Sequence, residues 1–223
     1  MSVLDAVHER WVADRRVAVL ASGIAGVMPR GARVLDVGCG DGHLAHRLLQ
    51  QRPDLEVRGI DLFVRPRTWI DVETFDGHTI PLARGEVDVV MFVDVLHHTD
   101  DPMELLREAA RVARAAVVIK DHVARSPLDR ATLRFMDRVG NVRHGVRLPY
   151  TYWSAGQWAR AFETLGLDVA ERRNALGLYP FPASLVFDRR LHFLARLVPI
   201  GATASDAPSH REAIDAAGLL RSS

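Results

Sequence analysis

Apolar residues along the chain follow two patterns, short strand-like segments and longer segments with helical spacing. Short strand-like segments occupy residues 34–37, which Asp36 interrupts, 57–62 and 87–96, and segments with an apolar residue every three or four positions follow the first and the last of them. The run at 87–96 is nearly unbroken, which is typical of a central parallel strand that is covered on both faces. The alternation predicts an α/β fold with a mainly parallel sheet.

The same two patterns predict the remaining elements. Helices are predicted at 3–27 (one helix or a pair), 43–51, from 102 onward, 127–139 and 154–165. Further strands are predicted at 69–75, 115–119, 167–172 and 191–197. Asp101, Pro102 and Glu104 have the arrangement of a helix N-terminus, so both of these acids are expected to be structural.

A glycine-rich turn follows the first strand. Residues 34–42 have the sequence VLDVGCGDG, in which Asp36 lies in the strand and glycine occupies positions 38, 40 and 42. Strand, glycine turn and helix begin a nucleotide-binding βαβ unit, where a ligand must approach the main chain closely. A dinucleotide fold has Gly-x-Gly-x-x-Gly, whereas the third position after Gly40 is His43, which has a large side chain. A nicotinamide oxidoreductase is therefore the less favoured alternative.

Two motifs together identify a family resemblance. The pattern Asp-x-Gly-x-Gly-x-Gly at 36–42 and the segment DVLHHTDDPMELLREAARVARAAVVIKDH at 94–122 resemble the class I methyltransferases that use S-adenosylmethionine (SAM), in particular the methyltransferase type 11 group with its quinone methylases. Arg114-Ala115-Ala116 replaces the Pro-Gly-Gly turn that is frequent in that group. The resemblance implies a Rossmann-like sheet of seven strands in the order 3-2-1-4-5-7-6, with the last strand antiparallel and helices on both faces.

The resemblance also implies a cofactor, SAM, with S-adenosylhomocysteine (SAH) as its product. In that family the glycine turn wraps the methionine part of SAM, and an acid at the position of Asp36 helps to hold its ammonium group. Asp61 lies about 20 residues beyond the turn, where a nucleotide fold places the carboxylate for the ribose hydroxyls. Asp76 is expected beside the adenine, although Asp76-Gly77 also fits a plain turn. The expected cofactor-binding residues are Asp36, Gly38, Cys39, Gly40, Asp61, Leu62, Asp76, Gly77, Asp94 and His97.

Histidines near the ends of two central strands are the candidate general bases. His98 and His122 lie at the carboxyl ends of the predicted strands 87–96 and 115–119, where open α/β sheets bind ligands. A histidine pKa near 6.5 suits proton transfer at neutral pH. Each could instead hydrogen-bond the loop backbone or lie over the cofactor. No metal is predicted, because His43 and His46 have metal-like spacing but no third ligand nearby in the sequence.

Two aromatic-rich segments, 140–153 and 178–182, are the candidate acceptor pocket. Aromatic walls suit an aromatic or lipid-like small molecule, although the same residues could simply close the core. The expected substrate residues are His144, Tyr152, Trp153 and Tyr179.

Composition adds limits to this picture. The 223 residues, 48% of them hydrophobic and 26% charged, predict a single domain over 1–198, with leading helices at 1–30, cap insertions within 123–190 and a tail at 199–223. The net charge of +1 gives no general attraction to nucleic acid. No apolar run is long enough for a membrane span, the N-terminus does not have the pattern of a secretory signal, and Cys39 is the sole cysteine, so a cytoplasmic location is expected.

The sequence therefore predicts a methyltransferase that acts on a small molecule, as a monomer or homodimer, by in-line displacement. A second class stays open, a SAM-binding protein that does not transfer methyl groups. Turnover of SAM to SAH separates the two.

Overall fold

The computed structural model describes the backbone of residues 3–141 and 149–201, with side chains from residue 14 onward except at 140 and 141. Seven strands form one sheet: β1 (Arg33–Val37), β2 (Glu56–Asp61), β3 (Val72–Thr74), β4 (Val87–Val93), β5 (Ala113–His122), β6 (Leu167–Arg173) and β7 (His192–Pro199). The helices are α1 (Val3–Val27), α2 (His43–Gln51), α3 (Pro102–Val112), α4 (Pro127–Asn141), α5 (Ala155–Thr164) and α6 (Ser184–Phe187), with a short 3-10 helix at Leu96–His98.

The strand order is β3-β2-β1-β4-β5-β7-β6. β7 is antiparallel to both of its neighbours, β5 and β6, and the pairs among β1 to β5 are parallel. This confirms the predicted Rossmann-like sheet. Since parallel strands bring their carboxyl ends to one edge, the residues that follow β1, β2, β4 and β5 share that edge.

The core lies on both faces of the sheet, and β4 shows why its sequence is apolar throughout. Successive strand residues point to opposite faces. Val90 and Phe92 belong to the cluster under α3 and α5, whereas Val89 and Met91 belong to the cluster under α1 and α2. Both faces of β4 are thus removed from water, so a strand with polar residues at every second position would bury them on one face.

Several boundaries differ from the sequence prediction. The predicted strand 87–96 ends at Val93, because Asp94 has a φ of 57° that a strand cannot continue through. The predicted strand 69–75 is confined to Val72–Thr74 at the sheet edge. β5 is longer than predicted and includes Lys120, Asp121 and His122.

α1 is one continuous helix of 25 residues rather than a helix pair. Its Ile24 and Val27 are buried against the sheet. Among the described residues, no helix combines the length and the apolar character that a bilayer crossing requires.

α4 and the segment 149–153 pack together over the carboxyl end of β5. Leu133 of α4, Tyr152, Ala124 and Leu191 form a small buried cluster there. Within the predicted cap region 123–190, α5 and β6 are parts of the layered fold, whereas α4 and the segments around it are additions to it. The predicted tail lies outside the described residues from 202 onward.

Candidate functional site

The glycine turn after β1 opens toward solvent at one position. Gly38, Gly40 and Gly42 have φ angles of 72°, 63° and 75°, in the region that favours glycine. A side chain at 38 or 42 would collide with Val95 or Ile70, but a Cβ at Gly40 would meet no atom within 4 Å. The turn therefore presents bare backbone to open space at Gly40, as close approach of a ligand requires.

Asp61 joins this turn to the end of β2. Its Oδ2 accepts a hydrogen bond from the Gly40 N–H (2.8 Å), and its Oδ1 accepts one from the Phe63 N–H (3.1 Å). Both carboxylate oxygens have further lone pairs for a ligand. The predicted ribose-binding acid is thus held beside the open face of the turn.

Asp36 is a buried acid, 3% exposed, within β1. Burial, with a smaller contribution from the charge of Asp61, raises the pKa of Asp36 to about 8. No arginine or lysine among the residues with described side chains pairs with it. A ligand cation bound beside Asp36 would therefore stabilise its ionised form.

Cys39 packs its thiol against β2. A side chain at Gly59 would come within 2.3 Å of the Cys39 Sγ, so the strand and the turn are in direct contact here. Burial raises the pKa of this thiol, which keeps it protonated. The Cys39 side chain therefore packs against β2, which leaves its backbone as the part that a ligand in the turn could contact.

The Asp76-Gly77 pair forms a turn after β3. Asp76 Oδ1 accepts hydrogen bonds from the backbone N–H groups of His78 and Thr79, both at 2.7 Å, and these bonds lower the pKa of Asp76. Gly77 has a φ of 86° and lies against Leu62, which is half exposed. The geometry fits the simple turn, and contact with adenine stays a proposal.

Charged and titratable side chains gather at the carboxyl ends of β4 and β5, where α1, α4, β7 and the segment 149–153 also meet. We call this set the polar cluster. Its members are Arg16, Asp94, His97, His98, Lys120, Asp121, His122, Asp137, Tyr152 and His192. Most of these side chains are almost completely buried.

Asp94 and the two cations that bind it, Arg16 and Lys120, form one half of the polar cluster. Asp94 accepts hydrogen bonds from Arg16 Nη2 (2.5 Å) and from Lys120 Nζ. Burial alone would raise the pKa of Asp94, but Lys120 and Arg16 hold it well below its usual range. The ion pairs tie α1 to the end of β4. Asp94, expected to bind the cofactor, is here engaged with protein cations.

His97 lies between two acids in the other half. Its Nδ1 is 2.7 Å from Asp121 Oδ1, and its Nε2 is 3.5 Å from Asp137 Oδ2. Burial alone would lower the pKa of His97, but Asp121 and Asp137 raise it to about 10. Asp121 also accepts hydrogen bonds from the Leu96 and His122 N–H groups, so its position is fixed by backbone.

The two predicted bases have different surroundings. His122 is 3% exposed, and burial with the neighbouring His97 lowers its pKa. His98 is half buried, and burial with the charge of His97 lowers its pKa to about 4. Both imidazoles are therefore neutral near pH 7, but only His98 reaches the surface.

The predicted substrate residues do not form one pocket. Tyr152 is buried and donates its hydroxyl to Asp137, and Trp153 packs against Trp158 of α5 with ring centroids 4.9 Å apart. Tyr179 is half buried, with its ring 5.4 Å from that of Phe187. His144 lies outside the described residues. Tyr152 and Trp153 thus fit the alternative in which the aromatics close the interior.

Half of the polar cluster was not predicted from the sequence. The tripeptide Lys120-Asp121-His122 at the end of a predicted strand was the local signal available. Arg16, Asp137 and His192 lie on other elements, and no spacing in the sequence relates them to that tripeptide.

Three features together define a Rossmann-like nucleotide-binding protein: the strand order, the open glycine turn after β1 and the carboxylate at the end of β2. Residues 10–172 match the family model described as "Methyltransferase domain". The chain therefore belongs to the methyltransferase domain family, which confirms the predicted class of SAM-dependent methyltransferases.

Curated relatives are similar over part of their length. A 27-O-demethylrifamycin SV methyltransferase from Amycolatopsis mediterranei is 32% identical over 110 residues, which are 43% of this chain and 40% of the relative. A ubiquinone biosynthesis O-methyltransferase from Cupriavidus pinatubonensis is 27% identical over 170 residues, 68% of this chain and 65% of the relative. The chain thus spans less than two thirds of the length of either relative.

Solved structures share the fold at low identity. A SAM-dependent methyltransferase from Mesorhizobium loti has a TM-score of 0.57 at 17% identity, covering 79% of this chain and 96% of that one. The cyclase SpnF also has a TM-score of 0.57, at 14% identity, covering 82% of each chain. At these identities the likeness concerns the fold alone.

Proposed function

We propose that this protein transfers the methyl group of SAM to a hydroxyl group of a small, aromatic or lipid-like acceptor by in-line displacement. The observation that carries the proposal is the placement of the open turn at Gly40, with Asp36 and Asp61 beside it, at the same sheet edge as the polar cluster. Cofactor and acceptor would then meet at the carboxyl ends of β1 and β4, since open α/β sheets bind ligands there.

The residues around the turn fit SAM. Its methionine part would lie along Gly38, Cys39 and Gly40, where the backbone is open at Gly40. Asp36 would hold the ammonium group, which would offset the cost of its buried charge. Asp61 would accept hydrogen bonds from the ribose hydroxyls, and Leu62, Asp76 and Gly77 would lie toward the adenine. SAM supplies an electrophilic methyl group on a sulfonium, so the protein's task is mainly to position it.

A hydroxyl is the proposed acceptor group for two reasons. The two relatives described above are named for methylation at oxygen. The polar cluster also offers the half-buried, neutral imidazole of His98, which can accept a hydrogen bond from a hydroxyl.

Of the two predicted bases, His98 is the residue we place against the acceptor. The His98 side chain is half buried and reaches the protein surface. His122 is only 3% exposed and lies behind Asp94 and Asp121. His122 is then a positioning residue, and its neutral ring packs between the two halves of the polar cluster. The Tyr179 ring, beside Phe187 and His192, would supply an apolar wall for the acceptor.

The proposal extends to the setting of the reaction. We propose a small-molecule substrate, a cytoplasmic location and a monomer or homodimer. In support of a small-molecule substrate, the net charge of +1 provides no general electrostatic attraction to nucleic acid.

The test is SAM turnover against a panel of acceptors. Purified protein is incubated with SAM and, in parallel, catechols, hydroxyquinones and hydroxylated long-chain lipids, and SAH and methylated product are measured by mass spectrometry. The proposal predicts SAH formation that depends on one acceptor class, with an equal amount of O-methylated product. Products methylated at carbon or nitrogen, or SAH formed without an organic product, would contradict it.

One observation favours a second function. The fold is shared with a protein named as a cyclase, so this fold is not restricted to methyl transfer. A SAM-binding protein that does not transfer methyl groups would bind SAH tightly and produce none of it with any acceptor.

A further inference from the structure

Two buried ring nitrogens on neighbouring residues of the polar cluster have no hydrogen bond. His97 Nε2 and His98 Nδ1 have no hydrogen-bond partner among the described residues, and the ring centroids are 4.0 Å apart. A buried polar group without a partner destabilises the structure, because its hydrogen bonds to water are not replaced. Two such atoms on neighbouring residues indicate a position that favours a further ligand.

A carboxylate approaches the same point. One ring nitrogen of His97, one ring nitrogen of His98 and a carboxylate oxygen of Asp137 all lie within 4.8 Å of one another, and His97 Nε2 is 3.5 Å from Asp137 Oδ2. Ligand atoms at roughly 2.0–2.2 Å from one metal ion are themselves about 3–4 Å apart. Small side-chain rotations would therefore bring these three atoms to ligand distance.

The partners of these side chains are those that orient metal ligands. His97 directs its other nitrogen, Nδ1, to Asp121 Oδ1 at 2.7 Å, and Asp121 is held by the Leu96 and His122 N–H groups. Asp137 accepts a hydrogen bond from the Tyr152 hydroxyl. A carboxylate behind a ligating histidine fixes its tautomer and its ring orientation.

We propose that His97 Nε2, His98 Nδ1 and Asp137 bind one divalent transition-metal ion. Two imidazoles and one carboxylate suit Zn²⁺, Co²⁺, Fe²⁺ or Mn²⁺ rather than Mg²⁺ or Ca²⁺. A set of three protein ligands leaves positions on the metal for other ligands. The sequence predicted no metal, and this site was not visible in it because only the fold brings Asp137 to the histidine pair.

A second combination of ligands, Asp94, His97 and His122, is also close enough to hold an ion. Its Asp94 is already bound by Lys120 and Arg16, whose positive charges would repel a metal. The observations therefore favour the Asp137 site.

The metal's use in the reaction rests on the proposed function. A bound metal lowers the pKa of a hydroxyl that it ligates, so with the ion bound the metal, and not the ligating His98 ring, would activate the acceptor oxygen. Binding of the ion itself does not depend on that role and is tested separately.

The experiment measures metal binding by the full chain. Chelator-treated protein is titrated with Co²⁺ and then Zn²⁺, with visible absorption, calorimetry and elemental analysis as the measurements. We expect one ion per chain, Co²⁺ bands that Zn²⁺ abolishes, and at least tenfold weaker binding in His98→Ala and in Asp137→Asn. His78→Ala is the matched control, since His78 Nδ1 also lies 2.7 Å from a carboxylate, Glu104, but on the surface.

Far-UV circular dichroism confirms that each variant is folded, and His98→Ala, which removes a half-buried ring, serves if Asp137→Asn is not. Equal metal affinity of wild type and His98→Ala, or a loss of affinity in His78→Ala, would overturn the proposal. SAH titration of the metal-free protein separates the two claims: SAH binding without metal binding would contradict this inference alone.

Discussion

Gly31 and Gly40 have nearly the same backbone conformation in different surroundings. Their φ angles are 61° and 63°, and a side chain at either position would meet no atom within 4 Å. Gly31 lies in the turn before β1, away from the polar cluster, whereas Gly40 faces the proposed cofactor. An alanine adds the same backbone strain at each site, so a difference between the two variants reports the ligand.

We expect Gly40→Ala and Gly31→Ala to lose similar stability, about 1 kcal/mol each in urea denaturation, because both force alanine to a positive φ. Only Gly40→Ala should lose SAH affinity, by at least tenfold in calorimetry, because its methyl group would occupy the approach to the turn. Equal SAH affinity in both variants would contradict the assignment of this turn.

Asp36 is a position where binding and stability are expected to conflict. Its folded pKa of about 8 lies above the ordinary value near 3.8, so the folded state loses stability as pH rises from about 4 to 8. Asp36→Asn removes that loss. We expect the variant's free energy of unfolding to match wild type near pH 4 and to exceed it by about 2–5 kcal/mol above pH 8.

The same variant should bind SAH at least tenfold more weakly, because the ammonium group loses its counter-charge. Urea denaturation across this pH range and calorimetry with SAH make the two measurements. An Asp36→Asn variant no more stable than wild type at high pH, or with unchanged SAH affinity, would show that Asp36 does not have this role.

At the scale of elements, β2 and the glycine turn are packed as one unit. Gly59 of β2 lies so close to Cys39 that a side chain would come within 2.3 Å of its Sγ. Gly59→Ala should therefore push the turn away from β2, with a loss of about 1–3 kcal/mol in stability and a lower SAH affinity.

Adding Cys39→Ala should restore part of both losses, because it removes the sulfur that the new methyl group meets. The single variant Cys39→Ala is the control, and stability and SAH affinity are measured for all three in a double-mutant cycle. Strictly additive effects of the two substitutions would contradict the direct contact.

Elements with local causes were the ones that the sequence predicted well. α2 has the predicted bounds because the glycine turn fixes its start and its apolar face fixes its register. β4 was predicted three residues too long, since the apolar run continues past Asp94 although the backbone turns there. Asp94 also forms ion pairs with Arg16 and Lys120 on distant elements, which no local pattern reveals.

For the whole molecule, the contacts of the glycine turn were predictable from the sequence and those of the polar cluster were not. The difference again lies in whether a contact has a local cause. Asp61 and Gly40 are 21 residues apart within one βαβ unit, so a known motif predicts that they meet. The polar cluster combines three residues of β5 with side chains from α1, the segment after β4, α4, the segment 149–153 and β7, and Arg16 and His192 belong to opposite ends of the described chain. Such contacts follow from the tertiary fold, which the resemblance supplied only as strand order.

The central claim is that the open turn at Gly40 belongs to a SAM site rather than to a dinucleotide site. Calorimetric titration of the purified full chain with SAH, beside a parallel titration with NADH, tests this directly. We predict saturable binding of SAH with one site per chain and a micromolar or lower Kd, and no heat of binding with NADH. Binding of NADH in place of SAH, or of neither ligand, would contradict the account.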